Sequence, residues 1–105
     1  MRGQAVLPEQ SHSFETELWL YNGAKASWHF ITVPSGISRQ IRFFSGKTNG
    51  FGSIRVSARI GESRWATSLF PDKQSGCYYL PVKAEVRKAQ GISAGDLVGV
   101  ELRIG

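Results

Sequence analysis

Cysteine and histidine are scarce in this chain of 105 residues, which contains one cysteine, Cys77, and two histidines, His12 and His29. One cysteine cannot form an intramolecular disulfide. So few nitrogen and sulfur ligands also cannot build a cysteine-based zinc site or a multi-histidine metal cluster. We therefore expect no metal and no cofactor. A chain without disulfides is also typical of a reducing environment, so we expect a cytoplasmic protein.

Long apolar runs are also absent. The opening residues, MRGQAVLPEQSH, lack the hydrophobic stretch of a signal peptide, and no later segment approaches the length needed to cross a membrane. We interpret residues 1–13 as a flexible, polar lead-in and residues 14–105 as a single domain without membrane association.

Acidic residues are outnumbered by basic ones. Thirteen Lys and Arg against eight Asp and Glu give a formal net charge of +5. This charge favours encounters with anionic partners, including nucleic acid, but it is equally typical of a soluble surface and assigns no fold.

Alternating apolar residues predict two β-hairpins. Residues 14–21 (FETELWLY) and 27–33 (SWHFITV) flank an Asn-Gly pair that suits a turn. Residues 51–60 (FGSIRVSARI) alternate most clearly, and the turn GES leads into RWATSLF. The inward positions of this strand are predicted to be Ile54, Val56, Ala58 and Ile60.

Two short helices are predicted between the strands. The first follows Pro34 and would bury a stripe formed by Ile37, Ile41 and Phe44. The second covers residues 82–90, with Val82, Val86 and Ala89 facing inward and Gly91 as the left-handed C-cap. Gly95 and Asp96 then form a structural turn into the last strand, LVGVELRIG.

These elements predict a mainly β fold, a small closed or split β-barrel of five to seven short strands capped by two short helices. A barrel of this size needs bulky side chains in its interior. We therefore expect the three tryptophans and most phenylalanines to lie in the core.

Several segments in this order resemble the bacterial and archaeal family called domain of unknown function 1905. They are FETEL, WHFITVP, GSIRVSARIG, WATSLFP, YYLPV and VRKAQGISAGDLVGVEL, which span nearly the whole chain after Phe14. The resemblance implies a compact barrel with helical caps, similar in architecture to the double-split barrels of swapped-hairpin regulators. It implies no particular activity.

Candidate catalytic groups have ordinary structural interpretations. SGKT at residues 45–48 lacks the earlier glycine of a phosphate-binding loop and runs from helix to strand, so we interpret it as a turn. Cys77 with His29 as a distant base is an alternative to a buried thiol and a hydrogen-bonded strand histidine. Possible paired carboxylates, all in turns or at strand ends, are Asp72 with Glu62 and Asp96 with Glu101.

A row of basic residues is the best candidate contact surface. Arg55 and Arg59 face outward on one strand, Arg64 follows the hairpin turn, and Lys73 lies further along. If they converge, they could bind an anionic ligand or a nucleic-acid backbone, with tryptophans such as Trp19 and Trp65 as stacking platforms. The alternative is a solvated sheet face whose aliphatic stems cover aromatic rings.

We therefore predict a non-catalytic binding module for an unidentified ligand or partner, as a monomer or weak dimer, with no catalytic, cofactor or metal residues. A nucleic-acid-binding module that uses the basic hairpin is the first alternative. A small enzyme that depends on a carboxylate is the second. Similarity of fold to DNA-binding regulators does not decide between them, because one fold can carry many functions.

Overall fold

The computed structural model describes residues 10–45 and 52–104 of the chain. These residues form six strands and two helices. Their bounds are β1 Gln10–Asn22, β2 Ser27–Thr32, α1 Ser35–Ser45, β3 Ile54–Ile60, β4 Ser63–Pro71, β5 Tyr78–Pro81, α2 Ala84–Gln90 and β6 Leu97–Ile104.

The six strands form a closed barrel in the order β1-β2-β5-β4-β3-β6, and all neighbouring strands are antiparallel. The predicted mainly β barrel with two short helices is therefore confirmed. The β1–β2 and β3–β4 hairpins are also confirmed. Within residues 10–45 and 52–104, closure of the barrel gives every strand a neighbour on both sides, so it leaves no free sheet edge.

Two strands divide the barrel into halves because each changes partner along its length. β1 pairs with β6 through residues 10–17 and with β2 through residues 18–22. β4 pairs with β3 through residues 63–69 and with β5 through residues 70–71. We call β6, β3 and the first parts of β1 and β4 the first half-sheet. The second half-sheet comprises β2, β5 and the last parts of β1 and β4.

The interior is one cluster of aliphatic side chains from every strand, to which Trp65 and Tyr78 add aromatic rings. All four predicted inward positions of β3 are buried, and the residues between them are more exposed. Burial of alternate residues is the pattern expected when one face of each strand meets the core. The outer faces of the two half-sheets are therefore formed by the intervening residues.

The helices pack on the barrel through fewer residues than predicted. In α1, Ile41 is fully buried and Ile37 packs against the core, but Phe44 is 66% exposed and stacks edge-on against Phe43. The predicted burial of Phe44 is wrong, because the contact with the core ends at Ile41. In α2, Val86 is buried whereas Ala89 is exposed, so that prediction is also wrong.

Two turns have the predicted structure. Gly91 ends α2 in the left-handed region, with φ 62°, and the N–H of Ile92 donates to the carbonyl of Arg87. Gly95 has φ 100° and donates its N–H to the carbonyl of Leu18, while the Asp96 carboxylate accepts the N–H of Ser93. The glycine and aspartate therefore attach this turn to β1.

The chain enters the barrel earlier than the predicted boundary at residue 14. β1 begins at Gln10 because residues 10–13 pair with residues 101–104 of β6. His12, assigned from the sequence to the lead-in, is thus a strand residue opposite Leu102. Residues 46–48 of the SGKT segment lie outside the described residues. No helix within residues 10–45 and 52–104 is long and apolar enough to cross a membrane.

Candidate binding surface

Aromatic side chains cover the outer surface of the second half-sheet. The strand register places Trp19 opposite Phe30, and Phe30 opposite Pro81. Tyr79 lies opposite Phe70 in the same way. Because directly opposed residues project from the same side of a sheet, these residues form one continuous outer face.

We call this surface the aromatic face. Its residues enclose an open groove of about 440 Å³. The most exposed members are Trp28, Tyr21 and Phe70, with 54%, 52% and 47% of their surfaces accessible. The full set is Trp19, Tyr21, Trp28, Phe30, Phe70, Tyr79 and Pro81.

The rings of the aromatic face support one another. The Trp19 ring centroid lies 5.2 Å from those of both Phe30 and Tyr79. Trp28 is nearly parallel to Phe30, with 6.4 Å between centroids and 14° between planes. Trp19 Nε1 donates a hydrogen bond of 2.9 Å to Thr32 Oγ1. Contacts at these distances hold the rings in place.

The expectation that the tryptophans and most phenylalanines lie in the core is wrong for several of them. Trp65 is buried, but Trp28 is more than half exposed, and so are Phe43 and Phe44. Aliphatic residues suffice to fill most of this interior, so the large rings are available to the outer face. Buried Trp65 is therefore not a stacking platform, whereas Trp19 belongs to the aromatic face.

A polar turn borders the aromatic face beside Tyr79. The Asp72 carboxylate accepts hydrogen bonds from Ser75 Oγ at 2.7 Å and from the Ser75 N–H at 3.1 Å. These bonds to Ser75 lower the pKa of Asp72. The pKa of Tyr79 is raised, first by its burial and then by its hydrogen bond to Asp72. Asp72 therefore stabilises the β4–β5 turn and lies at one edge of the aromatic face.

A second, more polar cavity adjoins the aromatic face. We call it the His29 pocket, and it has a volume of about 390 Å³. It shares Trp28 and Pro81 with the aromatic face. No carboxylate is among its lining residues, which are Ser27, Trp28, His29, Thr67, Pro81, Val82, Lys83, Ala84 and Arg87.

Two cationic side chains, Lys83 and Arg87, line the His29 pocket. Arg87 Nε donates to the carbonyl of Val82 at 3.2 Å, which positions the guanidinium and leaves its terminal nitrogens for other partners. Lys83 lies 3.7 Å from Glu85, and both side chains are exposed, so this ion pair is weak. The pKa of His29 is lowered, first by burial and then by the charge of Arg87. The pocket therefore suits an anion.

The predicted basic row is divided by the barrel. Arg59 and Arg64 lie directly opposite each other on β3 and β4. Both approach Glu101 of β6, with Arg59 Nε 3.1 Å and Arg64 Nη2 3.9 Å from its Oε1. Arg103 reaches the same oxygen at 3.9 Å. This arginine cluster, formed by Arg59, Arg64, Arg103 and Glu101, thus has a carboxylate at its centre.

Glu101 reduces the attraction of the arginine cluster for an external anion. Its hydrogen bond from Arg59 is the main reason that its pKa is lowered, so the carboxylate is ionised at neutral pH. The sequence paired Glu101 with Asp96 as possible acid and base groups. In the barrel the Glu101 carboxylate instead accepts a hydrogen bond from Arg59 and lies close to Arg64 and Arg103.

The other two predicted contact residues lie away from the arginine cluster. Arg55 is four residues from Arg59, a separation of about 13 Å along a strand, and its Nη1 lies 3.3 Å from Ser68 Oγ. It is a diagonal neighbour of Phe70 across the β3–β4 pair. Lys73 follows the end of β4 that is opposite the Arg64 end. Arg55 therefore borders the aromatic face, and Lys73 lies beyond the end of β4, away from the arginine cluster.

The candidate catalytic groups occupy structural positions. Cys77 is buried, and no hydrogen bond in the described part of the chain joins it to His29. Asp72 and Asp96 each accept bonds within their own turns, and Glu62 is exposed in the β3–β4 turn. Within residues 10–45 and 52–104, no three Cys, His, Asp or Glu side chains are grouped as metal ligands.

Sequence reasoning missed Trp28, Phe30, Phe70 and Tyr79 as surface residues. A usable signal was present, because each strand of the second half-sheet places an aromatic residue next to a core aliphatic one. Examples are Trp19 after Leu18, Phe30 before Ile31 and Tyr79 before Leu80. Assigning the aliphatic residue to the core puts its aromatic neighbour on the outer face.

Comparison with known proteins identifies the family of the chain. No curated protein matches the chain. The sequence model of the family described as Domain of unknown function (DUF1905) matches residues 14–102, which include all of β2 to β5, both helices and most of β1 and β6. Since this match covers most of the barrel, the chain belongs to the DUF1905 family.

Proposed function

We propose that this protein is a non-catalytic binding module whose ligand lies on the aromatic face. The observation that carries the proposal is the continuous, exposed set of rings on the second half-sheet. Exposed apolar surfaces that are bordered by polar residues mark interaction sites. We propose a cytoplasmic protein, monomeric or weakly dimeric, that needs no cofactor.

Rigidity supports this proposal. The ring contacts around Trp19 and its bond to Thr32 hold the surface in one arrangement. A preformed site loses less conformational entropy when it binds, so more of the contact energy appears as affinity.

A thermal-shift panel of metabolites, oligosaccharides, peptides and oligonucleotides tests the proposal. A ligand at a hundred times its Kd should raise the Tm of the native chain by about 10 °C. The double variant Trp28→Ala/Phe70→Ala should lose this shift. Leu97→Ala is the control, because Leu97 is 69% exposed on the first half-sheet, outside the aromatic face. Ligands that stabilise native and double-variant protein equally would contradict the proposal.

The first alternative, nucleic-acid binding by the basic hairpin, is supported by the juxtaposition of Arg59 and Arg64. The central carboxylate of Glu101 weighs against it. If this alternative is correct, Arg59→Ala/Arg64→Ala should weaken binding and flatten its salt dependence, and Glu101→Gln should strengthen binding.

The second alternative is a carboxylate-dependent enzyme. Tyr79 beside Asp72 is the arrangement that favours it most, because Tyr79 and Ser75 hold this carboxylate at the edge of the aromatic groove. Turnover in a broad substrate screen that is abolished by Asp72→Asn would support an enzyme. Binding without turnover would support the module.

A further inference from the structure

We infer that the ligand of the aromatic face is single-stranded nucleic acid, whose bases stack on the exposed rings while its phosphates bind Lys83 and Arg87 in the His29 pocket. This inference rests on the proposed function and specifies its ligand. The surface differs from the basic hairpin, which lies on the first half-sheet.

The composition of the aromatic face argues for flat apolar groups. Its lining is seven residues with almost no exposed polar atoms, and the Trp19 N–H is already bonded to Thr32. An oligosaccharide would need several hydrogen bonds from such a surface to replace those its hydroxyls make with water. Nucleobases need only ring faces, because stacking of a base on an aromatic side chain is favourable for every base.

The position of the His29 pocket argues for an anion attached to those flat groups. Trp28 and Pro81 line both the pocket and the aromatic face, so the two sites adjoin and a ligand that passes over these residues would contact both. Lys83 and Arg87 offer positive charge there. Alternation of flat bases and charged phosphates is the chemistry of a nucleic-acid strand.

Charges around the rest of the rim are mixed. Arg55 is a diagonal neighbour of Phe70, about 7–8 Å away between Cα atoms, and supplies a cation at the β4 side of the face. Asp72 lies beside Tyr79, and its carboxylate already accepts a hydrogen bond from Ser75. A single strand of nucleic acid that runs from the His29 pocket toward Phe70 would therefore meet cations at both ends of its path.

The extent of the surface limits the ligand. The exposed rings of Tyr21, Trp28 and Phe70 provide stacking positions for about two or three bases, as in other β-sheet surfaces that bind single strands. Duplex nucleic acid would keep its bases inside the helix, away from these rings. We therefore expect preference for single strands.

The test is fluorescence anisotropy of labelled ten-residue oligothymidine across a salt series. Trp28→Ala/Phe70→Ala should weaken binding roughly 30-fold or more, because two stacking positions are lost. Lys83→Gln/Arg87→Gln should reduce the salt slope by about 1.4 if each residue binds one phosphate. Arg59→Gln/Arg64→Gln removes the same charge from the arginine cluster and should change neither quantity. An abasic oligomer of equal length should bind weakly, because it retains the phosphates but lacks the bases.

The outcomes separate this inference from the proposed function. Binding that depends on Arg59 and Arg64, or equal binding of the abasic oligomer, overturns the inference. So does the absence of oligothymidine binding when a proline-rich peptide, an oligosaccharide or a second copy of the chain binds the native protein but not Trp28→Ala/Phe70→Ala. That last result leaves the proposed function standing. If Trp28→Ala/Phe70→Ala changes the binding of no probe, both proposals fail. Unchanged Tm values of the variants would show that they are folded.

Discussion

A single residue, Glu101, partly neutralises the basic surface formed by Arg59, Arg64 and Arg103. Three arginines on three different strands approach one carboxylate, and two of them, Arg59 and Arg64, lie about 40 residues before it in the sequence. Their charges stabilise the ionised form of Glu101 and lower its pKa, and the hydrogen bond from Arg59 is the largest cause.

We predict that Glu101 makes the stability of the protein depend on pH in the acidic range. Its pKa is lower in the folded chain than the ordinary value of 4.5, so its stabilising effect is complete above that value and is lost as the pH falls through the folded-state pKa. Glu101→Gln should therefore be less stable than the native protein at pH 7, and this difference should shrink in acid. Urea unfolding between pH 3 and pH 7 measures it.

Glu15→Gln is the matched control for this prediction. Glu15 is an exposed acid on β1, and within residues 10–45 and 52–104 it forms no ion pair. Its replacement should change stability by less than about 0.5 kcal/mol. A difference between Glu101→Gln and native protein that stays constant with pH would show that the ion pairs are not its source.

At the scale of elements, Ser38 attaches α1 to the barrel. Its side chain is fully buried, and its Oγ donates to the Val33 carbonyl at 3.0 Å and accepts the Tyr78 N–H at 3.1 Å. One hydroxyl thus joins the helix to the segments at the ends of β2 and β5. A serine in the first turn of a helix gives no signal of burial in the sequence, because such residues are commonly exposed to solvent.

Ser38→Ala should destabilise the protein by about 1–3 kcal/mol, because it leaves the buried Tyr78 N–H without its acceptor. Hydrogen exchange of the Tyr78 amide should also become faster. Gln40→Ala, an exposed change on the same helix, should alter stability by less than about 0.5 kcal/mol. Urea unfolding and amide exchange provide the measurements. Native-like stability and exchange in Ser38→Ala would refute this role.

At the scale of the whole molecule, closure of the barrel concentrates stability in one core. Leu102 is fully buried on β6, between His12 of β1 and Ala58 of β3 in the strand register. The pairing of β1 with β6 joins the first and last strands of the barrel, so the core forms only when segments distant in sequence meet. We therefore expect cooperative, two-state unfolding.

Leu102→Ala should cost about 2–5 kcal/mol, a large part of the stability expected for a domain of this size. Leu97→Ala on the same strand should cost less than about 0.5 kcal/mol, because Leu97 is 69% exposed. Denaturant unfolding followed by tryptophan fluorescence and by circular dichroism measures both. Equal losses for the two variants, or transitions that differ between the two probes, would contradict a single core.

The sequence alone determined the elements of this fold. Period-two alternation in residues 54–60, the Asn-Gly turn after β1, and the glycine cap of α2 are local properties, since each depends on residues adjacent along the chain. The resemblance of segments from Phe14 to Leu102 indicated the family from the sequence alone. The boundary at Gln10 was less visible, because residues 10–13 are polar and become a strand only by pairing with β6.

Only the tertiary structure decided which surface is chemically distinctive. The sequence left open whether Arg59 and Arg64 converge, and the carboxylate that lies between them comes from β6, 42 residues after Arg59. The aromatic face depends on β5 lying between β2 and β4, which sets Tyr79 beside Phe30 and Phe70. Strand order in a barrel arises from contacts between distant segments, so no local pattern in the sequence specifies it.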